Sequence, residues 1–172
     1  TPAFGDKPAV LTLNGALITT PYVDKDIALG GIYSELDQDL TIVVESDSKV
    51  NVKDAKYGIY ANAGLMIKGE AALDVRGESG IRSNGNLTFY ESTVTAKGSS
   101  YGIYAAGDID IKGTDSVITA ESTADGGSAI TSVTSLTTNN LSVAEPEDGR
   151  IDKDPASSIP DYPSVVDKDG KL

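Results

Sequence analysis

At 172 residues, with 14 Lys and Arg against 26 Asp and Glu, the chain is of single-domain size and carries a formal net charge of −12. Such acidity repels nucleic-acid phosphates and anionic lipid. Cys, His and Trp are all absent, which excludes Ser-His-Asp and Cys-His catalysis and removes the usual ligands of zinc, copper and iron.

Residues 1–8 read as a lead-in, and a secretory leader is expected outside this sequence, since no charged or apolar leader precedes the first element. No segment reaches the ~20 apolar residues of a membrane-spanning helix, so membrane insertion is not expected. From Ala9 to Thr19 two short apolar runs flank Asn14-Gly15, a turn signal, and predict an incomplete first coil.

A repeat then takes over. Gly31-Ile32-Tyr33, Gly58-Ile59-Tyr60, Gly80-Ile81-Arg82, Gly102-Ile103-Tyr104 and Ala129-Ile130-Thr131 each open a unit, at intervals of 27, 22, 22 and 27 residues. The longer intervals fit a common 22-residue coil with turn insertions of five residues. After each opening comes an alternating run: Leu40-Thr41-Ile42, Leu65-Met66-Ile67, Leu87-Thr88-Phe89, Ile109-Asp110-Ile111 and Leu136-Thr137-Thr138. A second run follows: Val50-Asn51-Val52, Leu73-Asp74-Val75, Val94-Thr95-Ala96, Val117-Ile118-Thr119 and Leu141-Ser142-Val143. Period-two alternation puts the first and third residue of each run on one face. Glycines at 69, 77, 98 and 113 fall where the chain must turn.

Three short strands per unit, separated by turns, predict a right-handed, single-stranded parallel β-helix of five to six coils over residues 9–143, an all-β solenoid. Its inward columns are Ile32, Ile59, Ile81, Ile103 and Ile130 on one wall, and Leu40, Leu65, Leu87, Ile109 and Leu136 on the next. Residues 144–172 carry four of the seven prolines, with Pro146, Pro155, Pro160 and Pro163 interrupting any ladder. They read as a cap over the last coil or as a linker, and Asp167-Lys168-Asp169-Gly170 as a turn.

The residue after each inward Ile points out, so Tyr33, Tyr60, Arg82, Tyr104 and Thr131 form a vertical outward row. Exposed tyrosines at a regular interval can serve as a platform for sugar rings; the competing reading is cross-coil stacking that stabilises the strands. Asn62 and Asn84 recur at one position of successive coils, as turn residues do. The acidic pairs Asp24/Asp26, Asp37/Asp39, Asp152/Asp154 and Asp167/Asp169 supply oxygens of the kind Ca²⁺ takes, yet none reproduces a twelve-residue calcium loop, and solvated turns are the better reading. No other cofactor is expected. Glu35, Asp74, Arg76, Glu91, Asp108 and Asp110 are scattered over outer faces without the facing carboxylates of a hydrolase, so catalysis is not expected.

The units Gly58-Ile59-Tyr60-Ala61, Leu65-Met66-Ile67-Lys68-Gly69 and Leu73-Asp74-Val75-Arg76-Gly77, with the strand Leu11-Thr12-Leu13-Asn14-Gly15-Ala16-Leu17-Ile18, resemble repeats of secreted β-helix proteins of anaerobic Gram-positive bacteria. Several of these are carbohydrate-binding-domain proteins, and their shape is that of the pectin-lyase-like superfamily. The resemblance covers residues 9–143 and implies surface display, polysaccharide contact and, in some relatives, bound calcium. The expectation is therefore a non-catalytic secreted or cell-surface module whose candidate carbohydrate face is Tyr33, Tyr60, Arg82 and Tyr104. The alternatives are a structural spacer or adhesin segment and, behind both, a polysaccharide lyase. The solenoid ends are candidate surfaces for self-association.

Overall fold

The computed structural model describes residues 7–124 and 127–138, together with the backbone of 150–153 and 163–166. Among these residues every regular element is a strand. In chain order they are β1 (Ala9–Asn14), β2 (Leu17–Ile18), β3 (Tyr22–Asp24), β4 (Ile27–Ser34), β5 (Leu40–Ser46), β6 (Ser48–Asn51), β7 (Tyr57–Ala61), β8 (Leu65–Ser83), β9 (Leu87–Ala105), β10 (Ile109–Lys112), β11 (Val117–Ser122), β12 (Ser128–Ser132), β13 (Leu136–Thr138), β14 (Arg150–Lys153) and β15 (Pro163–Val166).

The strands wind into a parallel β-solenoid with three walls. On the opening wall, Ile32, Ile59, Ile81, Ile103 and Ile130 stack in register. On the second, Ala9, Leu40, Leu65, Leu87, Ile109 and Leu136 do the same. On the third, Ile18, Val50, Val75, Ala96 and Ala120 align. Each coil is too thin to exclude water alone, so the three columns become one core only by stacking. Ile59, Ile67, Ile81, Leu87 and Ile103 are wholly buried, each contributing on the order of 1.5–3 kcal/mol.

The five openings enclose about four complete turns, not the five to six coils read from the repeats, because each turn is bounded by two openings and the coil at the N-terminal end has no opening strand among the described residues. In the first turn the extra residues divide between two corners. Ser34 to Leu40 is longer than its counterpart Ala61 to Leu65, and Asn51 to Tyr57 is longer than Arg76 to Ser79.

The third wall corrects the expected register twice, the second time with a change of phase. Val75 pairs with Val50, and Leu73 pairs with Ser48; the Ser48 hydroxyl is satisfied there by donating to the Ser46 carbonyl at 2.8 Å and accepting from the Ala16 N–H at 3.0 Å. In the last full turn Ile118 and Ala120 stack on Val94 and Ala96, leaving Val117 outside at 58% exposure. Val117-Ile118 offers an apolar side chain in either phase, and the neighbouring column decides which one turns in. The run Leu141–Val143 lies outside the described residues.

Glycine opens four units because of close approach. A Cβ on Gly58 would sit 2.5 Å from Val75 Cγ1 and 2.6 Å from the Gly80 carbonyl; on Gly80, 2.6 Å from the Gly102 carbonyl; on Gly102, 2.6 Å from the Ala129 carbonyl. The obstructing carbonyl belongs each time to the following coil. Ala129 opens the last unit, and a methyl group is accommodated there.

Both ends of the opening wall carry an antiparallel strand. At one end β3 pairs with β4 through a tight turn at Lys25 and Asp26, both in the left-handed region (φ 47° and 64°), as two-residue hairpins require. At the other, β14 and β15 form an antiparallel pair, and Ser164 of β15 pairs with Thr131 of β12. An antiparallel strand interrupts the parallel ladder that would otherwise invite another chain.

Candidate binding face on the opening wall

The residues Tyr33, Tyr60, Arg82, Tyr104 and Thr131 lie in one continuous row across β4, β7, β8, β9 and β12. The row is not a flat exposed platform. Tyr60 is buried, with 9% exposure, whereas Tyr33, Arg82 and Tyr104 are half-buried. Thr131 is buried where β15 pairs, and ends the row.

The burial of Tyr60 follows from coil spacing. Parallel strands lie ~4.8 Å apart, close to the separation at which aromatic rings stack. The rings of Tyr33 and Tyr60 accordingly stack with centroids 4.7 Å apart and planes 18° from parallel. Tyr57 stacks on Tyr60 at 4.8 Å, and Tyr22 of β3 on Tyr33 at 5.8 Å. Their faces cover one another, which leaves edges and hydroxyls toward solvent.

Tyr57 and Tyr101 were not evident as members of this face. By simple alternation a residue three places before Tyr60 belongs on the opposite side. Gly58 breaks the alternation: its missing side chain points toward Val75, as Ile59 also points inward, so Tyr57 and Tyr60 both emerge on the outside. The recurrence of Tyr-Gly-Ile-Tyr at 57–60 and 101–104 is the signal that could have found them.

Tyr57, Ser79, Tyr101 and Ser128 make a second row beside the first. The coil between the two tyrosine pairs therefore carries Ser79 and Arg82 where its neighbours carry Tyr57/Tyr60 and Tyr101/Tyr104. The Arg82 guanidinium lies 4.4 Å from the Tyr104 ring centre and 5.8 Å from that of Tyr57, within cation–π range on both sides. Tyr101 meets Tyr104 edge-on at 5.2 Å.

A directional chain of hydrogen bonds runs along the margin. Arg82 Nε donates to Asn84 Oδ1 at 3.5 Å, Asn84 Nδ2 to the Tyr60 hydroxyl at 2.7 Å, that hydroxyl to Asn62 Oδ1 at 3.3 Å, and Asn62 Nδ2 to Asp37 Oδ1 at 3.3 Å. Asn62 and Asn84 thus link coils in addition to sitting at turns. Burial raises the Tyr33 hydroxyl pKa above its usual value, and the charge of Glu35 adds to it. Burial also raises that of Tyr60, helped by Tyr57 and opposed by Arg82 and the Asn84 hydrogen bond. Both phenols remain neutral hydrogen-bonding groups at neutral pH.

The remaining acidic residues are dispersed. Asp39 accepts the Gly64 N–H at 2.8 Å, Asp108 accepts the Ser135 hydroxyl at 2.6 Å, Asp110 pairs with Lys112 at 3.0 Å, and Asp74 approaches Arg76 at 3.6 Å. Asp24 ends β3 and Asp26 lies in the β3–β4 turn. Among the described residues no three or more Asp and Glu converge as metal ligands. Asp154, the Asp167/Asp169 pair and the side chain of Asp152 lie outside the described residues. A cavity of roughly 320 Å³ is lined by Thr19, Pro21 and residues 51–55, none of them in the tyrosine rows.

The fold and this face define a parallel β-solenoid with an aromatic strip along one wall. Set against family models, curated proteins and solved structures, the chain matches none. The likeness to secreted β-helix repeat proteins therefore rests on the coil pattern alone.

Proposed function

We propose that the chain is a non-catalytic solenoid module of a secreted or cell-surface protein and that it contacts polysaccharide along the row Tyr33, Tyr60, Arg82 and Tyr104. The observation that carries this reading is the concentration, on one wall, of aromatic edges, phenol hydroxyls, side-chain amides and a cation in register over successive coils. Such a strip offers a linear partner apolar edges and hydrogen-bonding groups at a regular coil interval, which suits sugar chains. Contact is at edges and hydroxyls, since the faces of Tyr33, Tyr57 and Tyr60 are covered by one another.

A glycan array of neutral and acidic polysaccharides, run with calcium and with a chelator, tests this, with Tyr104→Ala as the control because Tyr60 supports the stack. Saccharide binding by the parent chain that Tyr104→Ala loses is the expected result; equal signals in the presence of chelator would make calcium irrelevant to it. Silence across the array overturns the reading in favour of a structural spacer or adhesin segment. The specific observation on that side is the same stacking, which makes the tyrosines a spine that ties coils together.

A further inference from the structure

Two Asn-Gly dipeptides occur in the chain, Asn14-Gly15 and Asn84-Gly85. In this pairing the backbone nitrogen of the glycine can attack the side-chain carbonyl carbon of the asparagine, because no Cβ shields that nitrogen and the glycine backbone turns freely. Both asparagines are exposed, so access to water does not distinguish them. Their hydrogen bonds do.

At Asn84-Gly85 the reacting groups are held. The Gly85 N–H, the nucleophile, donates to the Ala63 carbonyl at 3.2 Å and to the Ser83 hydroxyl at 3.3 Å. Asn84 Nδ2, the leaving nitrogen, donates to the Tyr60 hydroxyl at 2.7 Å, and Oδ1 accepts from Arg82 Nε at 3.5 Å. The backbone N–H of Asn84 donates to the Ala61 carbonyl at 3.0 Å. Gly85 is also crowded, since a Cβ there would lie 2.8 Å from the Gly64 nitrogen. Tyr60, Ala61, Ala63 and Gly64 all belong to the preceding coil.

Asn14-Gly15 has no such neighbour among the described residues, where β1 pairs with β5 alone and β2 with β6 alone. Neither the Gly15 N–H nor Asn14 Nδ2 has a hydrogen-bond partner among those residues. The Ser46 hydroxyl donates to Asn14 Oδ1 at 2.9 Å, which draws electrons from Cγ and favours attack on it. Gly15 has φ +66°, and a Cβ there would meet nothing within 4 Å. The ladder also shifts register between Leu13 and Asn14, so little resists rotation of this peptide.

We propose that Asn14 is a self-modification site of the folded chain, converted to aspartate or isoaspartate through attack by the Gly15 nitrogen, and that the stack silences the same chemistry at Asn84. Hydroxide removes the Gly15 amide proton, the N–Cγ bond forms and the Cγ–Nδ2 bond breaks. Ammonia leaves with a proton from water, which restores the hydroxide. Water then opens the cyclic imide at either carbonyl, giving aspartate when the new N–Cγ bond breaks and isoaspartate when the original peptide bond breaks. The product places a negative charge, and in the isoaspartyl form an extra backbone methylene, at the corner between β1 and β2. This chemistry is independent of the proposed saccharide contact.

The test is incubation of the folded chain at mildly alkaline pH, with peptide mapping by mass spectrometry over time and a parallel sample unfolded in concentrated urea. In the folded chain Asn14 should deamidate at least about tenfold faster than Asn84, the factor that roughly one retained hydrogen bond imposes on a reaction requiring local opening. In urea the two rates should converge. Asn14→Gln should remove the fast product and leave the Asn84 rate unchanged. Equal rates in the folded chain, a faster Asn84, or a folded chain inert at both positions while the unfolded one reacts would each overturn the proposal. So would a preference for Asn14 that persists in urea, because local sequence rather than the stack would then set it.

Discussion

The central coils and the end coils contain nearly the same residues in the same register, yet they are buried differently. Ile59, Ile81 and Ile103 have no exposed surface, whereas Ile32 and Ile130, the first and last of the column, retain 8%. Large apolar side chains left in solvent cluster before the first full turn, at Val10, Leu17, Tyr22, Val23 and Ile27, against Leu36, Met66, Tyr90 and the outward-facing Val117 over all the turns that follow. A coil is thus dry because coils lie on both sides of it, so stability is distributed by position in the stack rather than by the composition of the unit. The same logic governs glycine, which is demanded at Gly58, Gly80 and Gly102 by the carbonyl of the next coil and replaced by Ala129 at the end.

The sharpest way to break this comparison is Ile81→Asp, which buries a charge at the centre of the column. It should abolish cooperative unfolding measured by circular dichroism. A variant with the parent melting temperature would refute the register. Ile81→Ala should cost about 2–5 kcal/mol in urea denaturation, and more than Ile130→Ala at the partly open end.

Next in size is the glycine column. Gly80→Ala forces a methyl group against the Gly102 carbonyl and the Lys97 backbone and should destabilise by about 1–3 kcal/mol, the usual range for overpacking. Ala129→Gly, at the equivalent position of the last coil, should cost no more than about 1 kcal/mol. Equal effects would show that the following coil does not set the requirement.

Alkaline titration separates the tyrosine spine from the apolar core. The Tyr33 and Tyr60 hydroxyls have folded-state pKa values above the ordinary 10.0, so the unfolded chain loses these protons first. Their contribution is complete below pH 10 and is lost as the pH rises through the higher folded values. The melting temperature should fall in that window, and less steeply in a Tyr33→Phe/Tyr60→Phe double variant. Identical pH profiles would mean that other groups drive the alkaline loss.

The smallest expected effect concerns a single corner. Gly69 and Gly113 have φ of +117° and +90°, and Glu91, at the corresponding corner of the coil between them, has φ +46°. A non-glycine residue there is strained. Glu91→Gly should therefore stabilise by about 1 kcal/mol or less, read as a small upward shift of the denaturation midpoint. Destabilisation would show that the Glu91 side chain offsets its backbone strain.

Periodicity alone determined the class of this protein. The spacing of Gly-Ile openings and the two alternating runs dictate three walls and the Ile and Leu columns, because a strand has only two faces and the apolar one must turn inward. It also placed Tyr33, Tyr60, Arg82 and Tyr104 in one row. The stack decided the rest. Whether Val117 or Ile118 turned inward depended on Val94 and Ala96 beneath them, since both side chains are apolar. Tyr57 and Tyr101 joined the strip because a glycine bends the strand between each of them and the next tyrosine, which alternation cannot anticipate. The flat sugar platform became a set of ring edges because the coil repeat lies so close to the stacking distance of aromatic rings, and neighbouring faces therefore closed on one another. The setting of Arg82 and Ser79 also came from the stack, where one coil without tyrosines lies between two that have them.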